Sequence, residues 1–374
     1  MECRLPSVAI IGTRGYPSYY GGFETAVRKL APALVNLGWD VTVYGRHGAT
    51  STDDAGIDGR VVRRITRGLE TKSLSTLSYG FTASVDATRR DPDVALVFNV
   101  ANAYFLPMLR ARGVPTLLNV DGIEWERAKW NPLAKRVFLT GARLAAKWAD
   151  ELVFDAQAIG KYWHDKFGAS GVFIPYGGDN PGPLPVPEGL KHRGYVLAVA
   201  RFVPENTVRE FLAAVPEIAA RYPVVVVGSS GYGGEFDEAA RQLAAEHDSV
   251  SWLGHVSNDA LLLALWQHAG VYFHGHSVGG TNPALVQAMA AGAPVLARDT
   301  VYNREVLGPD GRFTIPDPRS IATALVGFMG DPVALDEAAR RNAYRAAQHY
   351  SWTNVCSEYE RALRGLWRRE ALVR

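Results

Sequence analysis

The sequence predicts an α/β protein made of two doubly wound, Rossmann-like domains that face each other across a cleft. Short apolar or β-branched runs alternate with helix-length segments, and this alternation restarts after a stretch rich in Pro and Gly. A chain of 374 residues also suits two domains better than one. Hydrophobic residues at 47% and a net charge of +2 are typical of a globular protein and give no general attraction to nucleic acid.

The predicted strands form two series along the chain. Those of the first half are Val8–Ile11, Val41–Tyr44, Val94–Phe98, Thr116–Asn119, Leu152–Phe154 and Val172–Ile174. Those of the second half are Tyr195–Ala200, Val224–Val227, Val250–Leu253, Val271–His274 and Pro294–Ala297. Because helical segments separate the strands, both series favour parallel sheets covered by helices.

The domain boundary is predicted from composition. Residues 176–194 read YGGDNPGPLPVPEGLKHRG, so a linker is expected at 179–192, between a first domain at 1–178 and a second at 193–351. In the last segment, apolar residues recur at helical spacing, which predicts an amphipathic helix over 352–374 that docks on the rest of the protein: Val355, Tyr359, Leu363 and Leu366.

Cysteine usage and hydropathy favour a cytoplasmic protein. Cys3 and Cys356 are far apart and indicate neither a disulfide scaffold nor a metal site. The N-terminal residues run into the first predicted strand and do not resemble a signal peptide. No window approaches the ~20 apolar residues that span a bilayer, so membrane contact is expected only as peripheral contact at the inner face. Leu133–Trp148 has an apolar side and several basic residues, which favours a core-facing helix over a membrane-surface helix.

The segment from Val271 to Asp299 predicts an anion site. It reads as strand, glycine turn, helix and second strand, and Gly279 and Gly280 can bring backbone N–H groups close to a ligand. Thr281 or Asn282 can cap the helix, whose positive end favours a phosphate. An ordinary capped loop is the alternative.

Arg201 ends another predicted strand in AVARFVPEN, where a guanidinium can hold a diphosphate through two parallel hydrogen bonds. A surface ion pair with Glu205 is the alternative. His274 and His276 have a spacing compatible with a metal, but no third ligand is near, so no metal is predicted. They are interpreted as hydrogen-bonding partners of substrate or phosphate, or as structural polar residues.

Polar residues also follow strands of the first half. The turn Gly12–Gly15 does not fit GxGxxG, so a nicotinamide or flavin site is not indicated. A second glycine pair and Glu24 follow it, which favours ligand contact over a plain turn. Asp121 and Glu124 can orient or deprotonate an acceptor hydroxyl; equally, Asp121 can cap a helix and Glu124 can be a surface carboxylate.

Several long motifs in this order resemble one family: GTRGYPSYYGGFET, NVDGIEWERAKW, FIPYGG, ARFVPEN and HGHSVGGTNPALVQAMAAG. The chain resembles the retaining glycosyltransferases of family 4, specifically their rhamnosyltransferase-like branch, over nearly its whole length. The resemblance implies the two-domain GT-B fold, with the C-terminal helix crossing back to the first domain. It also implies a nucleotide-sugar donor in the second domain, a hydroxyl acceptor in the first, and neither a cofactor nor an obligatory metal.

The resemblance assigns roles residue by residue. The residues implied to bind the donor diphosphate are Arg201, Gly15, Gly22, Gly279, Gly280, Thr281 and Asn282. Those implied to bind the nucleoside are Val256, Gln287 and Gly228, and those near the sugar or acceptor are Glu124, His274 and His276. Asp121, Arg201 and Glu24 are the expected catalytic residues, with Arg201 and the amides of Gly280 and Thr281 stabilising the leaving group.

Three positions depart from the wider family. Gly279 and Gln287 stand where glutamates are usual, and Gln287 departs from the rhamnosyltransferase-like branch as well. Asn206 replaces a lysine that often accompanies Arg201. A thymidine donor lacks the ribose 2′-hydroxyl, so a neutral amide at 287 weakens its binding less than that of a uridine donor, which favours a dTDP-sugar over a UDP-sugar. The rhamnosyltransferase-like branch implies L-rhamnose or another deoxysugar as the group transferred.

Two other functions are compatible with the sequence. Gln287 motivates a degenerate transferase that binds nucleotide or glycan as a partner subunit without turnover. An epimerase or a phosphorylase on the same architecture is the other. A polysaccharide, a lipid-linked sugar or a secondary metabolite could each be the acceptor.

Overall fold

The computed structural model describes residues 4–19, 21–50, 56–70, 75–127, 130–231 and 233–371. Cys3 lies outside these ranges, and Cys356 is buried and is not part of a disulfide. The chain divides into two compact units, one formed by Met1–Tyr176 with Trp352–Arg374 and the other by Gly177–Ser351. Each unit is built on one parallel sheet with helices between its strands, which confirms the predicted class of two doubly wound α/β domains.

The sheet of the first unit has, in the described residues, seven parallel strands in the order β3-β2-β1-β4-β5-β6-β7. They are β1 Ser7–Ile11, β2 Asp40–Arg46, β3 Val62–Thr66, β4 Val94–Phe98, β5 Thr116–Asn119, β6 Glu151–Phe154 and β7 Val172–Phe173. All five residues of β4 are buried, as expected for a central strand covered on both faces. The edge strand β3 was not predicted.

The helices of the first unit lie between these strands. They are α1 Gly22–Asn36, α2 Ser75–Arg90, α3 Leu106–Arg110, α4 Pro132–Trp148 and α5 Gln157–Phe167, with short 3-10 helices at Val100–Phe105 and Glu124–Glu126. The start of α4 follows from its sequence, because the Asn131 side chain caps the amide of Ala134 and Pro132 occupies the first turn.

One side of α4 packs on the core as predicted, but small residues form that side and not the larger apolar residues. Gly141, Ala142 and Ala145 are its buried positions, whereas Leu133 is 71% exposed. Close packing explains this choice, since a Cβ at Gly141 would lie 2.4 Å from the carbonyl oxygen of Val100. The small residues therefore make the contact, and the larger apolar residues remain partly exposed.

The sheet of the second unit has, again in the described residues, six parallel strands in the order β10-β9-β8-β11-β12-β13. They are β8 Val196–Val199, β9 Val224–Val227, β10 Val250–Trp252, β11 Val271–His274, β12 Val295–Arg298 and β13 Arg312–Thr314. The helices are α6 Val208–Ala219, α7 Glu235–Glu246, α8 Asp259–His268, α9 Pro283–Ala290, α10 Val301–Leu307, α11 Pro318–Met329 and α12 Pro332–His349, with a 3-10 helix at Pro204–Asn206. The edge strand β13 was not predicted.

Residues 179–192, the expected linker, are packed within the second unit. The Gln267 side chain accepts from the amide of Leu184 at 2.8 Å and donates to the carbonyl of Gly182 at 2.7 Å. Further along, the Nδ1 atoms of His192 and His268 are 2.9 Å apart. The division between the units therefore falls before this segment, at Tyr176 and Gly177.

The C-terminal helix α13, Trp352–Ala371, belongs to the first unit. Its apolar residues are buried as their helical spacing indicates: Val355, Tyr359, Leu363 and Leu366. Asn119 Nδ2, at the end of β5, donates to the Tyr359 hydroxyl at 2.7 Å, and both residues are buried. The helix thereby supports the carboxyl end of the sheet where Asp121 follows.

Candidate functional site

The polar residues singled out in the sequence follow the carboxyl ends of the strands of both sheets. In the first sheet the direction of strand order reverses between β1 and β4, and in the second between β8 and β11. Ligands of open α/β sheets bind outside the carboxyl ends of the strands at such reversal points. Each unit therefore offers one candidate half-site, described separately below.

In the second unit, the loop after β11 is tied to the 3-10 turn that follows β8. The amide and hydroxyl of Ser277 both donate to the carbonyl of Glu205, at 3.0 and 2.7 Å. Gly275 is required here, because a Cβ would lie 2.4 Å from the carbonyl oxygen of Asn206. The loops that follow the two strands at the reversal point are thus bonded directly to each other.

The N-terminus of α9 is closed by its own residues. Asn282 caps it, accepting from the Ala284 amide at 3.0 Å, while Pro283 has no N–H and the amides of Leu285 and Val286 donate to the Asn282 carbonyl. The expectation that free N–H groups of this helix face a phosphate is therefore wrong. In the described residues, the amides of Gly279 and Gly280, in the turn before this helix, have no hydrogen-bond partner, and Gly279 has a φ of +97° that favours glycine.

Arg201 follows β8 and is exposed. The alternative of an ion pair with Glu205 is not realised, and no carboxylate in the described residues lies within ion-pairing distance of its guanidinium. The Asn206 side chain does not contribute charge here; its Nδ2 donates to the Arg201 carbonyl at 2.9 Å and shapes the turn. Arg201 is thus an available cation beside the glycine loop.

His274 and His276 form a stacked pair, with ring centroids 4.4 Å apart and planes inclined by 12°. Burial, and after it the charge of Arg201, lowers the pKa of His276 to about 3. Burial, followed by His276, also lowers the pKa of His274 well below its usual value. Both rings are therefore neutral at neutral pH.

The two rings differ in their hydrogen bonds. His274 Nδ1 lies 2.9 Å from the Tyr272 hydroxyl, whereas His274 Nε2 and His276 Nδ1 are buried without a partner in the described residues. Unpaired buried nitrogens are costly and call for an explanation. The Tyr272 contact and full burial of His274 fit the structural interpretation, and contact of the pair with a ligand stays a prediction.

Two residues expected to bind the nucleoside form hydrogen bonds with other residues of the second unit. Gln287 Oε1 accepts from the Asp179 amide at 3.1 Å, and its Nε2 donates to the Asp179 carbonyl at 2.8 Å. Gly228 donates its N–H to Gly254 and accepts from Trp252 Nε1, and a Cβ there would lie 1.8 Å from the Ala200 carbonyl oxygen. These contacts explain why glutamine stands at position 287 and glycine at position 228. Val256 is half-buried in the loop between β10 and α8.

In the first unit, Glu24 organises the turn after β1. Its carboxylate is buried and accepts from the Arg14 amide at 3.0 Å. The Gly15 amide donates to Thr13 Oγ1 at 3.2 Å, and a Cβ on Gly15 would lie 2.9 Å from Gly45 Cα. Gly15 thus allows the turn to approach β2, and its N–H is already used.

The N-terminus of α1 is open, in contrast to that of α9. Its N-cap is Gly21, which provides no side-chain oxygen. In the described residues the amides of Gly22 and Phe23 have no hydrogen-bond partner. A 15-residue helix with an uncapped positive end is suited to an anion, and contact of Gly22 with a diphosphate stays a prediction.

Asp121 and Asn99 lie together at the ends of β5 and β4. Asn99 Nδ2 donates to Asp121 Oδ2 at 3.3 Å, and their φ angles are +65° for Asp121 and +72° for Asn99. Left-handed backbone at two neighbouring non-glycine residues is unusual and concentrates at functional sites. Asp121 does not cap the following 3-10 helix, whose N-cap is Ile123, so that alternative is wrong.

Glu124 is buried, and neighbouring side chains contact both oxygens of its carboxylate. Its Oε1 lies 2.7 Å from Arg127 Nε, and its Oε2 accepts from Trp130 Nε1 at 2.8 Å. With 4% of the residue exposed, the surface-carboxylate interpretation is wrong. Both oxygens hold the loop together, and a contact of Glu124 with an acceptor stays a prediction.

Sequence reasoning missed Thr207, Arg298 and Asn303. Thr207 is fully buried with a φ of +57°, and its hydroxyl donates to the Gly275 carbonyl at 2.6 Å. Asn303 Nδ2 donates to the carbonyls of His276 and Arg298, at 2.9 and 2.8 Å. Arg298 ends β12, so the strand-end rule that identified Arg201 also applied to it.

In the described part of the chain, no group of three or more His, Cys, Asp or Glu side chains is arranged to hold a metal ion. Among the helices of those residues, none has the length and apolar character needed to cross a bilayer.

Two family models match the chain. One is described as "Glycosyl transferase 4-like domain" and matches residues 21–177; the other is described as "Glycosyl transferases group 1" and matches residues 193–331. Apart from Gly177, each match falls within one structural unit, and together they contain the described site residues except those of the turn at 12–15.

Curated relatives are phosphatidyl-myo-inositol mannosyltransferases. The chain is 32% identical to that of Mycolicibacterium smegmatis over 216 residues, 54% of each protein. It is 29% identical to that of Mycobacterium leprae over 214 residues, 54% of this chain and 56% of that protein. The chain thus spans about half the length of the curated relatives it matches.

Solved structures share the fold at low sequence identity. Sucrose-phosphate synthase from Thermosynechococcus elongatus matches with a TM-score of 0.82 and 18% identity, covering 97% of this chain and 100% of that chain. Anabaena HepE in complex with UDP matches with a TM-score of 0.73 and 15% identity, covering 96% and 100%. At these identities the matches establish the GT-B fold.

Proposed function

Because the chain belongs to the group 1 and 4-like glycosyl transferases of the GT-B fold, we propose that it transfers a sugar from a nucleoside diphosphate donor to an acceptor hydroxyl. The observation that carries this proposal is Arg201, an exposed cation without an ion-pair partner in the described residues. It lies beside the neutral His276 and near a glycine loop with unbonded amides. These groups suit a multiply charged anion such as a diphosphate.

The proposed reaction retains the configuration at the anomeric carbon and needs no metal. The bond from that carbon to the diphosphate oxygen breaks, a bond to the acceptor oxygen forms on the same face, and the acceptor proton passes to the departing diphosphate. Charge develops on the diphosphate, so its stabilisation is the main catalytic task. Arg201 and the amides of Gly279 and Gly280 would perform it, with Thr281 and Asn282 shaping the loop.

The second unit would bind the donor, with Val256 near the base and the imidazoles of His274 and His276 near the sugar. The first unit would bind the acceptor, where Asp121 positions the reacting hydroxyl or the sugar. Glu24 would act there indirectly by holding the turn after β1. The open N-terminus of α1 supports an additional contact of Gly22 with the donor diphosphate.

For the sugar, we propose L-rhamnose or another deoxysugar, on the motif resemblance described above. The preference for dTDP over UDP loses its physical basis, because Gln287 is hydrogen-bonded to Asp179 and is not free for a ribose. Both nucleotides are therefore tested. For location, we propose the cytoplasm with peripheral contact at the inner face of the membrane, on the cysteine usage and hydropathy of the sequence.

The testing experiment incubates the full chain with dTDP- and UDP-sugars and a panel of polyol, lipid-linked and glycan acceptors. Mass spectrometry detects the glycosylated product and NMR gives its anomeric configuration. The proposal expects a retained product in the presence of EDTA, lost in Arg201→Ala. Epimerised donor without acceptor would indicate an epimerase, and a sugar phosphate formed with inorganic phosphate would indicate a phosphorylase.

The degenerate-transferase alternative rested on Gln287. Since the structure gives Gln287 a complete set of bonds to Asp179, its presence no longer argues for lost activity. Turnover by the wild-type chain would exclude this alternative directly.

A further inference from the structure

Arg298, the last residue of β12, extends its side chain to the turn that follows β8. Its Nη1 donates to Thr207 Oγ1 at 3.0 Å, and the same hydroxyl donates to the Gly275 carbonyl at 2.6 Å. Thr207 thereby connects Arg298 to the first residue of the loop after β11. A β-branched residue at positive φ costs about 1–3 kcal/mol, so this arrangement exists only because its neighbours enforce it.

The strand order places Arg201 and Arg298 on opposite sides of that loop. β8, β11 and β12 are adjacent in the sheet, with Arg201 after β8 and Arg298 at the end of β12. Neighbouring strands are about 4.8 Å apart, so the two strand ends are separated by roughly 10 Å. Two extended guanidinium side chains can close that distance around an anion over the β11 loop.

The positive charge of the half-site comes from these two arginines, while Glu205 in the turn after β8 carries a negative charge. The imidazoles of His274 and His276 are neutral, since burial lowers the pKa of each. Arg304 is nearby in sequence but is neutralised by Asp299, with bonds of 2.5 and 2.7 Å to its two carboxylate oxygens. Arg298, like Arg201, has no carboxylate partner among the described residues.

We propose that Arg298 is a second diphosphate-binding cation and that affinity for the donor depends on it together with Arg201. This rests on the proposed function of the same half-site. A guanidinium has five N–H donors, and a single one is committed to Thr207 in the described structure. The Thr207 contact fixes the side chain near the loop and leaves the remaining donors for phosphate oxygens.

The test is isothermal titration of the full chain with dTDP, UDP and the matching nucleoside monophosphates. Arg298→Gln is compared with the wild type and with Arg340→Gln, which removes one exposed arginine from α12 of the same unit. We expect Arg298→Gln to weaken diphosphate binding at least tenfold, with a smaller loss for the monophosphates. Arg340→Gln should bind like the wild type.

Stability is measured in parallel by urea unfolding, because loss of the Thr207 contact can change it. Arg298→Gln with reduced stability but unchanged diphosphate affinity would make Arg298 a purely structural brace and overturn the proposal. If Arg298→Gln does not fold, Arg298→Lys replaces it: we expect affinity several-fold below the wild type, and unchanged affinity overturns the proposal. A wild-type chain that binds no nucleoside diphosphate would instead remove the proposed function itself.

Discussion

The side-chain amide of Gln287 on α9 forms a two-point clamp on the backbone of Asp179, accepting from its N–H at 3.1 Å and donating to its C=O at 2.8 Å. The clamp holds the chain where it enters the second unit. An amide can both donate and accept, whereas a carboxylate can only accept. This contact explains why glutamine serves at position 287.

Gln287→Glu should lower the free energy of unfolding of the second unit by about 1–3 kcal/mol, because the Asp179 carbonyl loses its donor and faces a carboxylate. Urea unfolding followed by tryptophan fluorescence measures this. Gln287→Met, which removes both bonds, should be destabilised to a similar degree. Unchanged stability of Gln287→Glu together with a large gain in transfer would contradict this account.

The stacked imidazoles should make the second unit sensitive to acid. Burial keeps the pKa of His276 at about 3 in the folded protein, against 6.5 for an unperturbed imidazole. The unfolded chain therefore binds more protons between these values, so the stability contributed by the neutral ring is present above pH 6.5 and is lost as the pH falls toward 3.

Thermal unfolding from pH 7.5 to 4 tests this. The midpoint of His276→Gln should fall less steeply with decreasing pH than that of the wild type. His349→Gln, which changes an exposed ring on α12 of the same unit, should keep the wild-type slope. Identical slopes for His276→Gln and the wild type would show that His276 is not held neutral.

Asp121 and Glu124 are three residues apart and should behave differently. Asp121→Asn should reduce the turnover number on the order of 100-fold or more if its carboxylate positions the reacting groups, with little change in unfolding. Steady-state kinetics with the wild type as reference measures this. Turnover within a factor of two of the wild type would remove Asp121 from the catalytic residues.

Glu124→Gln should act on stability instead. It breaks the charge pair with Arg127 while keeping an acceptor for Trp130, and a buried guanidinium without its partner costs about 3–5 kcal/mol. Chemical unfolding measures the loss, and the KM for the acceptor should stay at its wild-type value. A raised KM with unchanged stability would restore the acceptor role.

The C-terminal helix should stabilise the first unit through Tyr359. Tyr359→Phe leaves the Asn119 amide buried without its acceptor, so we expect a loss of about 1–3 kcal/mol in the free energy of unfolding. Tyr344→Phe, on the exposed surface of α12, serves as the matched control. Equal stability of the two variants would contradict the role assigned to the Tyr359 hydroxyl.

Hydrophobic periodicity predicted the central strands because those strands are buried on both faces, as β4 and β9 are. It missed β3 and β13, whose sequences VRRIT and RFT carry exposed arginines at the edges of the sheets. Edge strands are half-solvated, so they lack the continuous apolar run on which the prediction relied.

The residue types of the half-sites were predictable, but their hydrogen bonds were not. Glycine spacing identified the loop after β11, and the strand-end rule identified Arg201. The sequence could not show that Asn282 and Pro283 close the start of α9, or that Gln287 is used by Asp179, because these depend on side-chain direction and on contacts over 100 residues apart. Thr207 was missed because its left-handed backbone is imposed by tertiary contacts.

The most direct test of the central claim is titration of the wild-type chain and Arg201→Ala with dTDP and UDP, at low and at moderate salt. We predict that the wild type binds at least one of them, that affinity falls as salt rises, and that Arg201→Ala loses at least tenfold in affinity while keeping its unfolding midpoint. Equal binding by Arg201→Ala and the wild type would contradict a diphosphate site built on Arg201, and no binding of either nucleotide by the wild type would contradict the transferase assignment.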